Sequence, residues 1–345
     1  MKIHRTISTA CRYLTLLLFA QLASAVELNN AVGIQHQTIF NDSYRPLDIT
    51  IWYPTSAEKE ATLTADNAAF QGTLAAKNAP LKVGNYPLIL LSHGYRGHWR
   101  NLNWLADLLV KKGYLIAAVD HPGTSTFNHD ADIAAQWWER PKDISRTLDW
   151  LQHSVWSSYI NSEQVSAIGH SLGGWTVMLL AGASVDAHAM RTFYNKHPNP
   201  RIESVANEMK LDNPEPMLAG LEDSRINKIV SLDLGLAHSF SVASLKQILP
   251  SVMVLGAGID IGDLPVDIES GFIARSLELP TNRYKIYPKA THFSFMQLCK
   301  ANAYELLEAE EQGDGIVCLD GEGVTREQLH DEIFQDISHF LTSEE

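Results

Sequence analysis

Three runs in the middle of this 345-residue sequence, LILLS (88–92), LIAAV (115–119) and VSAIG (165–169), are small or apolar at consecutive positions rather than at alternate ones. A strand with one wet face alternates, so an unbroken run requires cover on both faces. Short strands meet that requirement in a parallel sheet wrapped by helices. Seven such runs, bounded by turn residues, fall at 48–54, 86–94, 114–123, 165–171, 228–235, 251–258 and 284–288. Helical spacing lies between several of them: Leu102, Leu105, Leu108 and Leu109, then Ile144, Leu148 and Leu151 behind Pro141, and a final helix over 325–341. The expected class is α/β, with a mostly parallel central sheet flanked by helices. Residues 184–227 break the rhythm with Pro198, Pro200, Pro214 and Pro216, and read as a cap-like insertion over the top of the sheet.

The first 25 residues differ from the rest. Lys2, Arg5 and Arg12 lead into the apolar run 13–20, and Ala23-Ser24-Ala25 has the small-residue spacing of a cleavage site. They read as a secretory signal peptide, with a mature chain of 26–345 and export to the periplasm or the medium. No later stretch approaches the roughly 20 apolar residues of a membrane span. The mature chain then carries 24 basic against 40 acidic side chains, a net charge of −16. So acidic a surface repels phosphate backbones, which argues against a nucleic-acid partner. Cys11 leaves with the signal; Cys299 and Cys318, an even pair in an exported chain, read as one disulfide closing the acidic excursion 299–324.

Gly169-His170-Ser171-Leu172-Gly173 sits where a predicted strand meets a predicted helix. Such a turn forces its serine into a strained backbone conformation, and the flanking glycines let strand and helix approach without a Cβ clash. The hydroxyl is lifted above the sheet, beside a helix N-terminus that favours negative charge. Ser171 is therefore the candidate nucleophile. A serine needs a base and a group to orient that base, in the chain order serine, acid, histidine. His292 stands in the loop after the last predicted strand, whereas His121, His170 and His339 are less well placed. For the acid, Asp260 after the run 251–258 is the first choice, with Asp263 in the same loop. Asp233, after the run 228–235, is the alternative. The oxyanion donors expected are the backbone N–H groups of Leu172 and of Tyr95, which follows the His93-Gly94 turn.

The segments RPLDITIWYP, LILLSHGYRG, GYLIAAVDHPGT, GHSLGG, LGAGID and ATHFSF resemble a family of secreted serine α/β-hydrolases, the dienelactone-hydrolase-like and platelet-activating-factor acetylhydrolase group, akin to bacterial cutinase-like polyester hydrolases. The resemblance covers nearly all of the mature chain. It implies the α/β-hydrolase fold and cleavage of carboxylic esters through an acyl-enzyme, with a small-molecule or lipid ester as substrate. It divides on the acid, since the cutinase-like pattern maps to Asp260 and the acetylhydrolase pattern to Asp233. Dienelactone hydrolases carry cysteine where this chain has Ser171, so their substrate is not implied. A lipase or phospholipase A-type acetylhydrolase, or an amidase or peptidase, would use the same triad. No metal-binding, redox or phosphate-loop motif occurs, so no cofactor or metal is expected. His330-Asp331-Glu332 reads as a solvated helix start, and the loops around His121, Trp137 and Trp138 are expected to shape the pocket along with the insertion.

Overall fold

A computed structural model of the chain describes residues 30–210, 220–262 and 264–343. The expected signal peptide and Asp263 lie outside the described residues. Ten strands form one sheet: β1 (Ala31–Ile39), β2 (Leu47–Thr55), β3 (Thr62–Thr64), β4 (Thr73–Lys77), β5 (Tyr86–Ser92), β6 (Leu115–Asp120), β7 (Ile160–His170), β8 (Lys228–Leu232), β9 (Ser251–Ala257) and β10 (Arg283–Tyr287). Their order is β10-β9-β8-β7-β5-β6-β2-β1-β4-β3.

From β6 to β10 every neighbouring pair is parallel, and β2 then joins antiparallel to β6. All seven runs expected from the sequence lie on these strands, on β2 and β5 to β10. The additional strands are β1, β3 and β4. β1 carries Gln35, His36 and Gln37 in succession, and β3 and β4 are only three and five residues long. None of them has the continuous apolar run that marks a strand covered on both faces.

The unbroken apolar runs follow from two cores, one on each side of the sheet. In β5, Leu88 and Leu90 join the cluster that includes Ile144, Leu148 and Trp175, whereas Ile89 and Leu91 join the one that includes Leu105, Leu109 and Ile333. The helices Glu139–His153 and Leu172–Leu180 thus cover one face, and Asn103–Lys111 and Arg326–Thr342 the other. Burying each large aliphatic side chain stabilises the fold by about 1.5–3 kcal/mol.

Because the strands run in parallel, their C-terminal ends share one edge. Ser171, Asp233 and His292 follow β7, β8 and β10 at that edge. The region 184–227 contributes two helices, Ala187–Tyr194 and Pro200–Glu208, and its residues 211–219 lie outside the described residues. Cys299 and Cys318 form a disulfide, closing a loop that holds the helix Ala303–Glu310.

Candidate active site

Ser171 joins β7 to the helix Leu172–Leu180 at φ 56° and ψ −121°, a region that side-chain-bearing residues rarely occupy. The glycines on either side permit this turn. A Cβ on Gly169 would lie 2.1 Å from the carbonyl oxygen of Gly173, and one on Gly173 would lie 2.0 Å from that of Ser92. Strand, turn and helix pack closer here than any side chain allows. The Ser171 N–H donates to the Leu232 carbonyl, tying the turn to β8.

His292 opens a short 3₁₀ turn, His292–Phe295, capped by Thr291 and Ser294. Its Nδ1 lies 2.7 Å from Oδ2 of Asp233. The other carboxylate oxygen of Asp233 accepts from the Ala257 N–H at 2.7 Å, so both oxygens are held. Asp233 itself has φ 44°, a strained backbone conformation at the end of β8. Ser171, Asp233 and His292 all line one cavity of about 350 Å³, within the range of small-molecule sites.

Asp260, the first-choice acid, is in a different position. It is exposed, and its Oδ1 accepts from the Gly262 N–H two residues on, as in an Asx turn. It lies on the cavity wall, but the carboxylate on the His292 ring belongs to Asp233. The sequence spacing suits both aspartates; the backbone turn at Asp233 is what separates them.

The expected oxyanion donors flank the serine. A Cβ on Gly94 would be 3.1 Å from Cβ of Ser171, and Tyr95 and Leu172 both line the cavity. Among the described residues, neither of their N–H groups donates to a backbone carbonyl. The rest of the wall is largely apolar and includes Val205 from the insertion, Leu234, Leu236, Ile259, Leu264 and Phe293. The insertion meets both sides of the cavity mouth. Glu208 contacts His129 and Arg96 beside Tyr95, while Tyr194 and Asn199 bond Glu269 and the Gly262 carbonyl.

Several histidines have duties that the sequence does not announce. His170 is buried and donates from Nε2 to the His292 carbonyl at 2.8 Å, and burial beside His292 lowers its pKa to about 3. It is therefore neutral and anchors the His292 backbone. His330, expected to be solvated, is buried, stacks on Trp104 at 3.6 Å, and donates to the Ser294 and Met296 carbonyls. It sits on the inward face of its helix and braces the His292 turn from behind. His121 and Trp137 are buried in the core and Trp138 packs against it; none of the three lines the cavity. Among the described residues no three metal-ligating side chains converge.

The matched fold is also found among solved structures. A ferulic acid esterase from Streptomyces cinnamoneus superposes with a TM-score of 0.61, covering 91% of this chain and 89% of that one at 17% identity. This is the α/β-hydrolase fold. In sequence, residues 47–192 match the X-Pro dipeptidyl-peptidase (S15) family, a stretch that holds Ser171 and stops short of Asp233 and His292. The chain is also similar to Cutinase 2 of Thermobifida cellulosilytica, 26% identical over 129 residues, which is 36% of this chain and 46% of that protein. Cutinase est1 of Thermobifida alba is 26% identical over 140 residues, 40% of this chain and 43% of that protein. The chain thus spans less than half the length of these curated relatives. Among the described residues of this α/β-hydrolase fold, no helix is long and apolar enough to cross a membrane.

Proposed function

We propose that this chain is an exported serine hydrolase that cleaves carboxylic esters, with Ser171 as nucleophile, His292 as base and Asp233 as the acid that orients it. The observation that carries the reading is their arrangement in one cavity: a strained serine at a helix N-terminus, and a histidine whose Nδ1 is engaged by a carboxylate. With Nδ1 bound to Asp233, the proton-accepting nitrogen of the neutral ring is Nε2. Ser171 Oγ attacks the ester carbonyl and His292 takes its proton. The tetrahedral oxyanion rests on the N–H groups of Tyr95 and Leu172. His292 then protonates the leaving alcohol, and a water activated by the same ring releases the acid.

The apolar wall favours small or medium apolar acyl groups. The likeness to the cutinases and to the ferulic acid esterase favours esters over amides. The disulfide and the leader-like residues 1–25 support export to the periplasm or the medium. The S15 match favours one second reading, a peptidase acting with the same serine.

Purified mature protein, assayed on matched p-nitrophenyl esters and anilides including X-Pro anilides, separates the two. We expect ester turnover that falls at least about 10³-fold in Ser171→Ala, with little anilide cleavage. Faster turnover of X-Pro anilides would favour the peptidase, and undiminished turnover by Ser171→Ala would refute both.

A further inference from the structure

Behind the turn that carries Tyr95 lies a sealed polar network. At its centre is Arg140, near the start of the helix Glu139–His153 and 1% exposed. Its described contacts are all to neutral oxygens: the His93 carbonyl, Thr124 Oγ1, Ser92 Oγ at 3.4 Å and Thr176 Oγ1 at 3.0 Å. The neighbouring buried carboxylate, Asp143, is engaged elsewhere, by Arg45 in bidentate fashion at 2.7 and 2.8 Å and by His121 Nδ1 at 3.1 Å. Ser92, His121 and Asp143 imitate a catalytic relay, but all three are fully buried and no substrate reaches them.

The charge of Asp143 offsets part of the cost of burying this guanidinium, but with hydrogen bonds only to neutral acceptors an apolar side chain would serve mere packing better. The acceptors are informative because of where they sit. His93 belongs to the turn before Tyr95, Thr124 follows β6, and Thr176 lies in the first turns of the helix behind Ser171. Thr176 also donates to the Leu172 carbonyl at 2.8 Å. One planar fork therefore holds both halves of the expected oxyanion hole.

His93 completes the connection. Its Nε2 accepts from the His121 N–H at 2.9 Å, and burial keeps the ring neutral, so the proton is on Nδ1. Nδ1 donates to the Gly94 carbonyl at 2.7 Å. That carbonyl and the Tyr95 N–H are the two ends of one peptide, and a donor on the first polarises the second.

We propose that Arg140 is a positioning residue that locks the His93–Tyr95 turn in register with the helix behind Ser171, so that the two oxyanion N–H groups converge. The inference rests on the reading of Ser171 as nucleophile given under Proposed function.

The test compares wild type with Arg140→Met, Arg140→Lys, Thr176→Val and Thr176→Ser. For each, kcat and KM on p-nitrophenyl butyrate are expressed per site titrated with a fluorophosphonate, which removes any misfolded fraction. The inhibition constant of an alkyl trifluoromethyl ketone, which adds to the serine as an oxyanionic hemiketal, is measured alongside. For Arg140→Met we expect kcat to fall about 10- to 100-fold, ketone affinity to fall by a similar factor, and KM to stay within about twofold.

Arg140→Lys should recover part of the loss. Thr176→Val should lose about three- to tenfold in kcat, and Thr176→Ser should recover it. Unchanged kcat per titrated site in Arg140→Met, or a rise in KM alone, would overturn the proposal. If Arg140→Met yields no titratable sites, the Thr176 pair decides: equal kcat in Thr176→Val and Thr176→Ser would overturn it. Absence of Ser171-dependent ester turnover in wild type would instead refute the function reading, before any variant is compared.

Discussion

At Asp233 the backbone takes a positive φ, and this single turn decides which carboxylate meets His292. In that conformation the Asp233 N–H donates to the Leu255 carbonyl while its carboxylate meets both the Ala257 N–H and the His292 ring. Asp260, at the end of the next strand in sequence, engages its carboxylate with the local Gly262 N–H. We expect Asp233→Asn to reduce kcat by about 10⁴, the scale seen when the base loses its orienting carboxylate. Asp260→Asn should stay within about threefold, since its carboxylate touches no reacting group. Steady-state kinetics on the two purified variants checks this, and the opposite ranking would return the role to Asp260. Ser171 is legible in the sequence because glycines must stand two residues to either side of it, where the neighbouring carbonyls leave no room for a Cβ. The carboxylate that meets His292 is not, because both aspartates end strands and nothing local to either records the turn at Asp233.

The turn His292–Phe295 is held by elements far from it in sequence. Thr291 Oγ1 donates to the Leu319 carbonyl at 2.8 Å, and Ser294 Oγ donates to Asp320. Asp320 is gripped in turn by Arg326 at the start of the last helix. Leu319 and Asp320 directly follow Cys318, so the Cys299–Cys318 disulfide fixes the segment on which the turn rests. Replacing both cysteines by serine should cost about 3 kcal/mol of unfolding free energy, by the loop-closure argument for a separation of this size. Urea denaturation measures it, and an unchanged midpoint would mean that the excursion is held without the bridge. The pairing is legible from the cysteine count once the leader-like residues 1–25 are set aside, and the central strands from their two-sided cover. β1 is less so, since it lies towards the sheet edge where polar residues are tolerated and Gly33 accepts the Tyr53 ring against its backbone. The bracing role of His330 is hidden for a related reason: a polar residue on the inward face of a helix looks like a solvated one until the partner carbonyls are known.

For the molecule as a whole, the buried histidines predict how stability varies with pH. His93, His121, His170 and His330 are all buried, and burial lowers the pKa of each, to about 3 for His170 and His330. Below about pH 6.5 the unfolded chain binds protons that the folded chain refuses. Stability is therefore full above that pH and falls as pH decreases, by up to about 1.4 kcal/mol per pH unit for each histidine. Asp120 acts in the opposite sense. Burial pushes its pKa up to about 7, so the folded state keeps a proton that the unfolded state gives up between about pH 4 and 7. Burial raises Asp107 and Asp143 as well, but it also lowers His36, His98 and His238, so among the described residues seven depressed histidines stand against three raised aspartates. Urea titrations should show lower stability at pH 5 than at pH 7.5; equal or reversed values would contradict the buried neutral rings. At this scale the sequence is legible as a parallel sheet with its site at the strand ends, but the path of the insertion is not, since its contacts with Tyr95's neighbours and Gly262 depend on tertiary placement alone. The proposed function requires residues 171, 233 and 292 to make one reactive centre. Its most direct test is covalent labelling of the mature protein with a fluorophosphonate, followed by intact mass and peptide mapping. We predict a single adduct, on Ser171, lost in Ser171→Ala and strongly slowed in His292→Ala; no adduct, or one on another residue, would contradict it.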